Sequence, residues 1–219
     1  MARILAYTPT YGDGPRAETL EAVSAQTWGG ELTHEVGWLN PFPRVDNRNV
    51  VAQYERARAM ALEGDYGALW TVEHDMYPPK DALALLWETG EPVVYGVYML
   101  RHGAFVLNAW EYLPNSINLG ESLSLKRDRS ILRGVVPVSG IGFGCTLIRR
   151  PVLEALRFHG GETTRQAPDL PFARECVRDG IRQVAHFDVL CGHYDPAKGD
   201  WVWPWEGVRE LGKSLCQRG

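Results

Sequence analysis

The first hundred residues alternate short apolar runs with segments whose apolar residues recur at helical spacing. That alternation limits the fold more than any other feature. Residues 2–8 are an apolar run closed by Pro9, and residues 16–28 carry Ala17, Leu20, Ala22 and Val23 at helical spacing. The stretch "ELTHEVGWL" (31–39) alternates as a strand does, and a helix over 48–63 turns Val50, Val51, Tyr54, Ala57, Met60 and Ala61 to one side, stopped by Gly64-Asp65. A third strand is expected over 67–72. Pro79 suits the first turn of a helix reaching about Glu88, and "EPVVYGVYML" (91–100) reads as a fourth strand. Strands joined through helices run parallel and are covered on both faces. The expected fold class is therefore α/β, with a Rossmann-like, mostly parallel sheet flanked by helices. Ligands of such sheets gather beyond the carboxyl ends of the strands. The loops "PTYGDGP" (9–15), "NPFPRVDNRN" (40–49) and "EHDMYPP" (73–79) are expected to open on one edge.

The second half changes character. Residues 104–138 read as irregular strands and loops, with "LPNSINLGESLSLKRDR" (113–129) exposed. The glycine-rich "VSGIGFGCTLIRR" (138–150) turns apolar and leads to a helix over 151–157, then to the loop "HGGETTRQAP". "DLPFARECVRDG" (169–180) has the marks of a helix: Asp169 as N-cap, Pro171 in the first turn and Gly180 at the end. A strand over 181–190 leads into "CGHYDP", and the tail "DWVWPWEGVRELGKSL" is aromatic, then helical.

Composition narrows the classes. A chain of 219 residues suffices for one domain with a sizeable core. A hydrophobic share of 45% and a charged share of 23% are those of a soluble globular protein. A net charge of -4 gives no general basic footprint for nucleic acid. Cys145, Cys176, Cys191 and Cys216 are scattered with no C-x-x-C pair, which reads as free thiols in a reducing compartment. The N-terminal apolar run is too short for a signal peptide, and no run of about 18 apolar residues could span a membrane. The expected location is cytoplasmic.

The chemistry concentrates where "ALWTV" ends in Glu73-His74-Asp75. An acid-x-acid pair after a buried strand can hold Mg²⁺ or Mn²⁺ and leave positions open for phosphate oxygens. Taken alone, these residues fit an exposed turn or a helix cap at least as well. His34, His102, His159 and His186 have no metal-ligand spacing. "KRDR" (126–129) reads as a solvated loop, and Arg127, Arg129 and Arg133 could form a local basic strip. "WVWPW" (201–205) reads as a packed cover over the sheet, and Cys145 and Cys191 as small apolar fillers.

The order of motifs is more telling. A "TPTYGDG" loop follows the first strand, acid-x-acid follows the third, and "SGIGFGCTLIRRPVLEAL" precedes "DLPFARECVRDG", a strand and "CGH". Together they resemble the GT-A fold glycosyltransferases, in particular the large inverting, nucleotide-sugar-dependent family. That family shows D-x-D after an apolar strand, then a Glu-Asp pair with an aromatic three residues after the Asp and a Gly eleven after it. Asp169, Phe172 and Gly180 hold that spacing, and His193 closes the pattern. The resemblance covers roughly residues 2–195. It divides the chain into a nucleotide-sugar half (1–100), an acceptor and catalytic half (101–195) and a C-terminal cover (196–219), within one domain over 1–219.

The resemblance implies the following roles. Asp75 and His193 would hold a divalent cation, Mn²⁺ or Mg²⁺, with Glu73 facing the donor ribose and the metal. Asp169 would be the catalytic base. Thr8, Pro9 and Tyr11 would border the nucleobase, Arg48 would touch the donor, and Asn49 would brace its loop. The donor would be a nucleoside-diphosphate-sugar, a UDP-sugar first of all. The acceptor stays open among a small molecule, a glycan, a protein and a modified nucleic-acid base. The chain departs from the family pattern at Glu73 for the first Asp, at Pro168 for the usual Glu, and at Trp38-Leu39-Asn40, where an Asp for the base is usual and Asp46 could substitute. A nucleotidyltransferase or phosphoester hydrolase on a similar sheet, or a catalytically silent nucleotide-sugar or glycan binding module, are the alternatives.

Overall fold

The computed structural model describes residues 2–10, 14–43, 46–101, 106–111, 122–124, 133–160 and 167–204. Tyr11, His102, Arg127, Arg129, the loop residues 161–166 and the tail from 205, with Cys216, lie outside the described residues.

The expected alternation forms. β1 (Arg3–Pro9), α1 (Ala17–Ser24), β2 (Glu31–Gly37), α2 (Arg48–Glu63), β3 (Ala68–Val72), α3 (Ala82–Glu88) and β5 (Val93–Val97) follow in that order. α2 buries Val50, Tyr54, Ala57 and Ala61 against β1 and β3, the stripe that its apolar spacing requires. β3 and β5 are buried on both faces, and Trp70 and Tyr95 are fully enclosed. One element differs from expectation. Pro79 lies ahead of α3, because Met76–Tyr77 form a short strand, β4, that pairs with Gly192 and His193.

The remaining elements are β6 (Val106–Glu111), β7 (Ser122–Ser124), β8 (Val135–Ile141), β9 (Cys145–Arg149), α4 (Arg150–Ala155), α5 (Asp169–Arg178), β10 (Gln183–Leu190), β11 (Gly192–Asp195) and β12 (Asp200–Val202). A nine-stranded sheet has the order β2-β1-β3-β9-β5-β10-β8-β6-β7, and a second sheet has the order β12-β11-β4. The large sheet is mixed, which corrects the mostly parallel sheet expected from sequence. Among its described strands, β1–β2, β1–β3 and β5–β10 pair in parallel, and the other neighbouring pairs are antiparallel. The cause is β9. It enters between β3 and β5 against both, Cys145 opposite Val72 and Thr146 opposite Tyr95. An apolar run reveals burial but not the partner on either side.

β1, β2, β3, β5 and β10 nevertheless point the same way, so their carboxyl ends share one edge. β11 then crosses that edge. Cys191 N–H donates to Val97 O at 2.8 Å, and Tyr194 N–H donates to Asp75 O at 2.9 Å. Tyr77 packs edge-on against Trp201 and Trp203, so the described part of "WVWPW" covers the small sheet. Among the described residues, no helix is long and apolar enough to cross a membrane.

Candidate active site at the carboxyl edge

Glu73 and Asp75 follow β3 directly. Glu73 N–H donates to Gly144 O at 3.0 Å, which ties the acid loop to the glycine turn before β9. The Tyr54 hydroxyl donates to Glu73 Oε1 at 3.1 Å. Glu73 is half-buried, and the desolvation there, with Asp75 and Asp169 nearby, pushes its carboxyl up to about 7. Asp75 is 3% exposed. Burial opposes its charge, but His193, His74 and Arg101 outweigh burial and hold its carboxyl below the usual range. Two adjacent acids thus sit in opposite states, one inclined to keep its proton and one anionic.

His193 faces Asp75, its Nε2 3.6 Å from Oδ2. Its Nδ1 lies 2.8 Å from Met99 O. A carbonyl only accepts, so Nδ1 bears a hydrogen and donates to Met99 O. Nε2 and both Asp75 oxygens are buried without an aligned hydrogen bond. The gap between them is lined by an anionic carboxylate and an imidazole nitrogen, and suits a cation. Arg101, after β5, puts Nη2 2.9 Å from Asp75 Oδ2, close in distance but off the N–H axis. Among the described residues no three of His, Cys, Asp and Glu are grouped to hold a metal. Asp75 and His193 fit part of a divalent ion's shell, and phosphate oxygens and water would complete it.

Asp169 opens α5 rather than preceding it; the cap position is Pro168. Its Oδ1 accepts from Leu170 N–H at 2.8 Å, and burial raises its carboxyl above the usual carboxylate range. A Cβ at Gly142 would lie 3.2 Å from Asp169 Oδ2 and would fall onto the Tyr98 hydroxyl and Asn108 Nδ2. Asn108 Nδ2 donates to the Tyr98 hydroxyl at 2.7 Å. Glycine at 142 is therefore what allows Asp169, Tyr98 and Asn108 to approach one another. Asp169 and His193, far along the chain from Glu73 and Asp75, come near enough for Asp75, Asp169 and His193 each to act on the Glu73 charge.

Thr8 and Pro9 close β1, which pairs with β3. Thr8 is buried, its hydroxyl 2.9 Å from His34 Nε2, and Pro9 ends β1. Asn40 is taken up inside the chain, since its Nδ2 donates to Thr10 O and its Oδ1 accepts from Gln53 Nε2. Arg48 is paired with Asp46 at 2.5 Å and lies over Phe42, and Asn49 accepts from Phe42 N–H and donates to Phe42 O and Pro43 O, bracing the second loop. Asn40 is thus satisfied by Thr10 and Gln53, and Asp46 and Arg48 by each other. His74 has its carbonyl tied to Arg16 N–H and the Thr19 hydroxyl, and Arg16 stacks on Tyr194 with its guanidinium carbon 3.4 Å from the ring centre.

Sequence reasoning passed over Arg101, Tyr98 and Asn108. The signal was available for the first two, because both stand just past the carboxyl end of a parallel strand, where the site was already expected. Cys145, Cys176 and Cys191 are buried free thiols. Cys145 and Cys191 lie around Gly96 as small fillers.

No family model matches the sequence, and no curated protein matches it significantly. Among solved structures, the chain is similar to A197 from STIV at 19% identity and a TM-score of 0.60, over 92% of this chain and 93% of that one. It is also similar to S. aureus TarS 1-349 in complex with UDP, at 14% identity and a TM-score of 0.46, over 85% of this chain and 58% of that one. The A197 likeness is one of fold: a mixed α/β sheet flanked by helices, with a small second sheet.

Proposed function

We propose that the chain is a GT-A type, metal-dependent inverting glycosyltransferase that moves a sugar from a nucleoside-diphosphate-sugar, a UDP-sugar first of all, to an acceptor hydroxyl. The observation that carries this reading is the gathering of Glu73, Asp75, Asp169 and His193 at the carboxyl edge, with one loop acid shifted up and the other down. Asp169 takes the role of base. Its raised carboxyl is a better proton acceptor than a solvent-exposed aspartate, and an acceptor hydroxyl needs such a partner to become a nucleophile. The hydroxyl oxygen bonds to the anomeric carbon from one face, its proton passes to Asp169, and the bond to the diphosphate breaks on the other face. A single carboxylate beside the acceptor suffices, unlike the paired carboxylates of glycoside hydrolysis. A divalent ion held by Asp75 and His193 would offset the negative charge of the departing diphosphate. Glu73, braced by Tyr54, would face the donor with its proton retained.

The test is a thermal-shift screen of nucleotide-sugars with and without Mn²⁺, since a ligand of the native state raises Tm by mass action. A Tm rise that needs both nucleotide-sugar and Mn²⁺ is expected. Asp169→Asn should keep that rise and lose turnover about 10²–10⁴-fold; unchanged turnover removes Asp169 as base. Release of pyrophosphate or free phosphate instead of a nucleoside diphosphate would move the chain to the nucleotidyltransferases or phosphoester hydrolases.

A further inference from the structure

The cluster already contains a cation. We infer that Arg101 is a displaceable counter-ion: it holds Asp75 when no divalent ion is bound, competes with that ion for the carboxylate, and turns to the donor's diphosphate when the ion takes its place. The inference rests on the proposed donor and metal roles of this edge and adds a residue to them.

Three features support it. The contact is close but not directed: Nη2 approaches Oδ2 to 2.9 Å, yet both Asp75 oxygens remain without an aligned hydrogen bond. An arginine built to lock a carboxylate uses its planar fork with two parallel bonds, and this one does not. The two partners are also unequal. Asp75 is enclosed, whereas the Arg101 side chain is 34% exposed, so the guanidinium can leave toward solvent while the carboxylate stays. The third feature is the anchoring. His193 Nδ1 bonds Met99 O at 2.8 Å, so the backbone two residues before Arg101 is fixed to the opposite wall of the gap. Arg101 therefore swings from a fixed root beside His193 Nε2. A buried carboxylate needs positive charge nearby. In the described structure Arg101 supplies a permanent positive charge there, and a divalent ion would supply it in Arg101's stead. A freed guanidinium at this edge is well matched to a diphosphate.

The test compares the parent chain with Arg101→Ala and Arg101→Lys by titration calorimetry, with Mn²⁺ alone as the first probe. Removing a competitor should tighten Mn²⁺ binding by about tenfold in Arg101→Ala, while Arg101→Lys, which keeps the charge, should stay near the parent. With UDP and saturating Mn²⁺ as the second probe, Arg101→Ala should bind UDP several-fold more weakly. Mn²⁺ affinity unchanged or reduced in Arg101→Ala overturns the inference, as does the absence of Mn²⁺ binding by every form. Failure of the transfer reading looks different: no form binds UDP, while the Mn²⁺ comparison still stands. Melting curves without metal identify a variant that has not folded, and Arg101→Lys then carries the comparison through loss of the planar fork, with UDP binding reduced and Mn²⁺ binding retained.

Discussion

Glu73 and Asp75 are two residues apart and chemically alike, yet their surroundings give them opposite tendencies. Glu73 is half-buried beside two further acids, Asp75 and Asp169, with the Tyr54 hydroxyl and His193 opposing their effect. Its folded value of about 7 lies above the ordinary 4.5. The folded state then binds the proton more tightly than the unfolded chain, so this residue's contribution is fully present below about pH 4.5 and declines as pH rises to about 7. Asp75 works in the opposite sense: its lowered carboxyl favours the fold above its ordinary 3.8 and loses that effect in acid. The pH ranges over which the two contributions change do not overlap: about 4.5 to 7 for Glu73, below 3.8 for Asp75. Glu73→Gln keeps an acceptor for Tyr54 and removes the ionisation, so it should be more stable than the parent by on the order of 2 kcal/mol above pH 7 and no more stable near pH 4. Urea unfolding at several pH values measures this, and parallel curves for the two proteins would remove the buried-acid argument. The acid-x-acid pair was legible in the sequence; its split protonation was not, because burial and the approach of Asp169 are properties of the folded edge.

At the scale of elements, short-range signals were read well and long-range ones poorly. α5 ends as its sequence requires: Gly180 takes a positive φ of 68°, Ile181 N–H returns to Cys176 O at 2.8 Å and Gly180 N–H to Val177 O. Its start was misread by one position, since Asp169 lies inside the first turn and its carboxylate is directed to its neighbour's N–H and toward Gly142. The turn between β8 and β9 shows what the pattern of glycines meant. Gly142 is needed because the Tyr98 hydroxyl and Asn108 Nδ2 occupy the space where a side chain would begin. Both are held: Tyr98 is buried, and Asn108 is bonded to it. Gly142→Ala should therefore cost about 1–3 kcal/mol, the usual scale for overpacking, and weaken turnover by displacing Asp169. Gly29→Ala meets nothing within 4 Å and should be close to neutral. Equal denaturation midpoints for the two variants would show that the turn tolerates a side chain and that Gly142 is not what brings Asp169 to Tyr98.

For the whole molecule, the question is how a site made from residues 73, 75, 101, 169 and 193 is held together. The parallel strands alone do not do it, because β10 stops pairing regularly after His186, where its register on β5 shifts. What completes the edge is the small sheet. β11 runs from the end of β5 to the end of β3, and β4, which no propensity in "MYPP" announced, receives it. His193 thus meets Asp75 through antiparallel pairing with Met76, and this contact was invisible in a sequence where the two residues are far apart. Trp203 packs over Gly192, where an added Cβ would come within 2.9 Å of the indole, and edge-on against Tyr77. The aromatic cover is therefore the clamp on the strand that carries His193. Trp203→Ala should speed amide exchange in β11 and β4 by tenfold or more through local opening, while amides of β1 and β5 keep their protection. Tm should fall by only a few degrees, because the lost packing belongs to a partly exposed ring at the rim and not to the core around Trp70. Uniformly faster exchange across both sheets would mean that the cover supports the whole fold. Unchanged exchange in β11 would mean that His193 is held by Met99 and Met76 alone, and the aromatic tail would then have no part in keeping the imidazole beside Asp75.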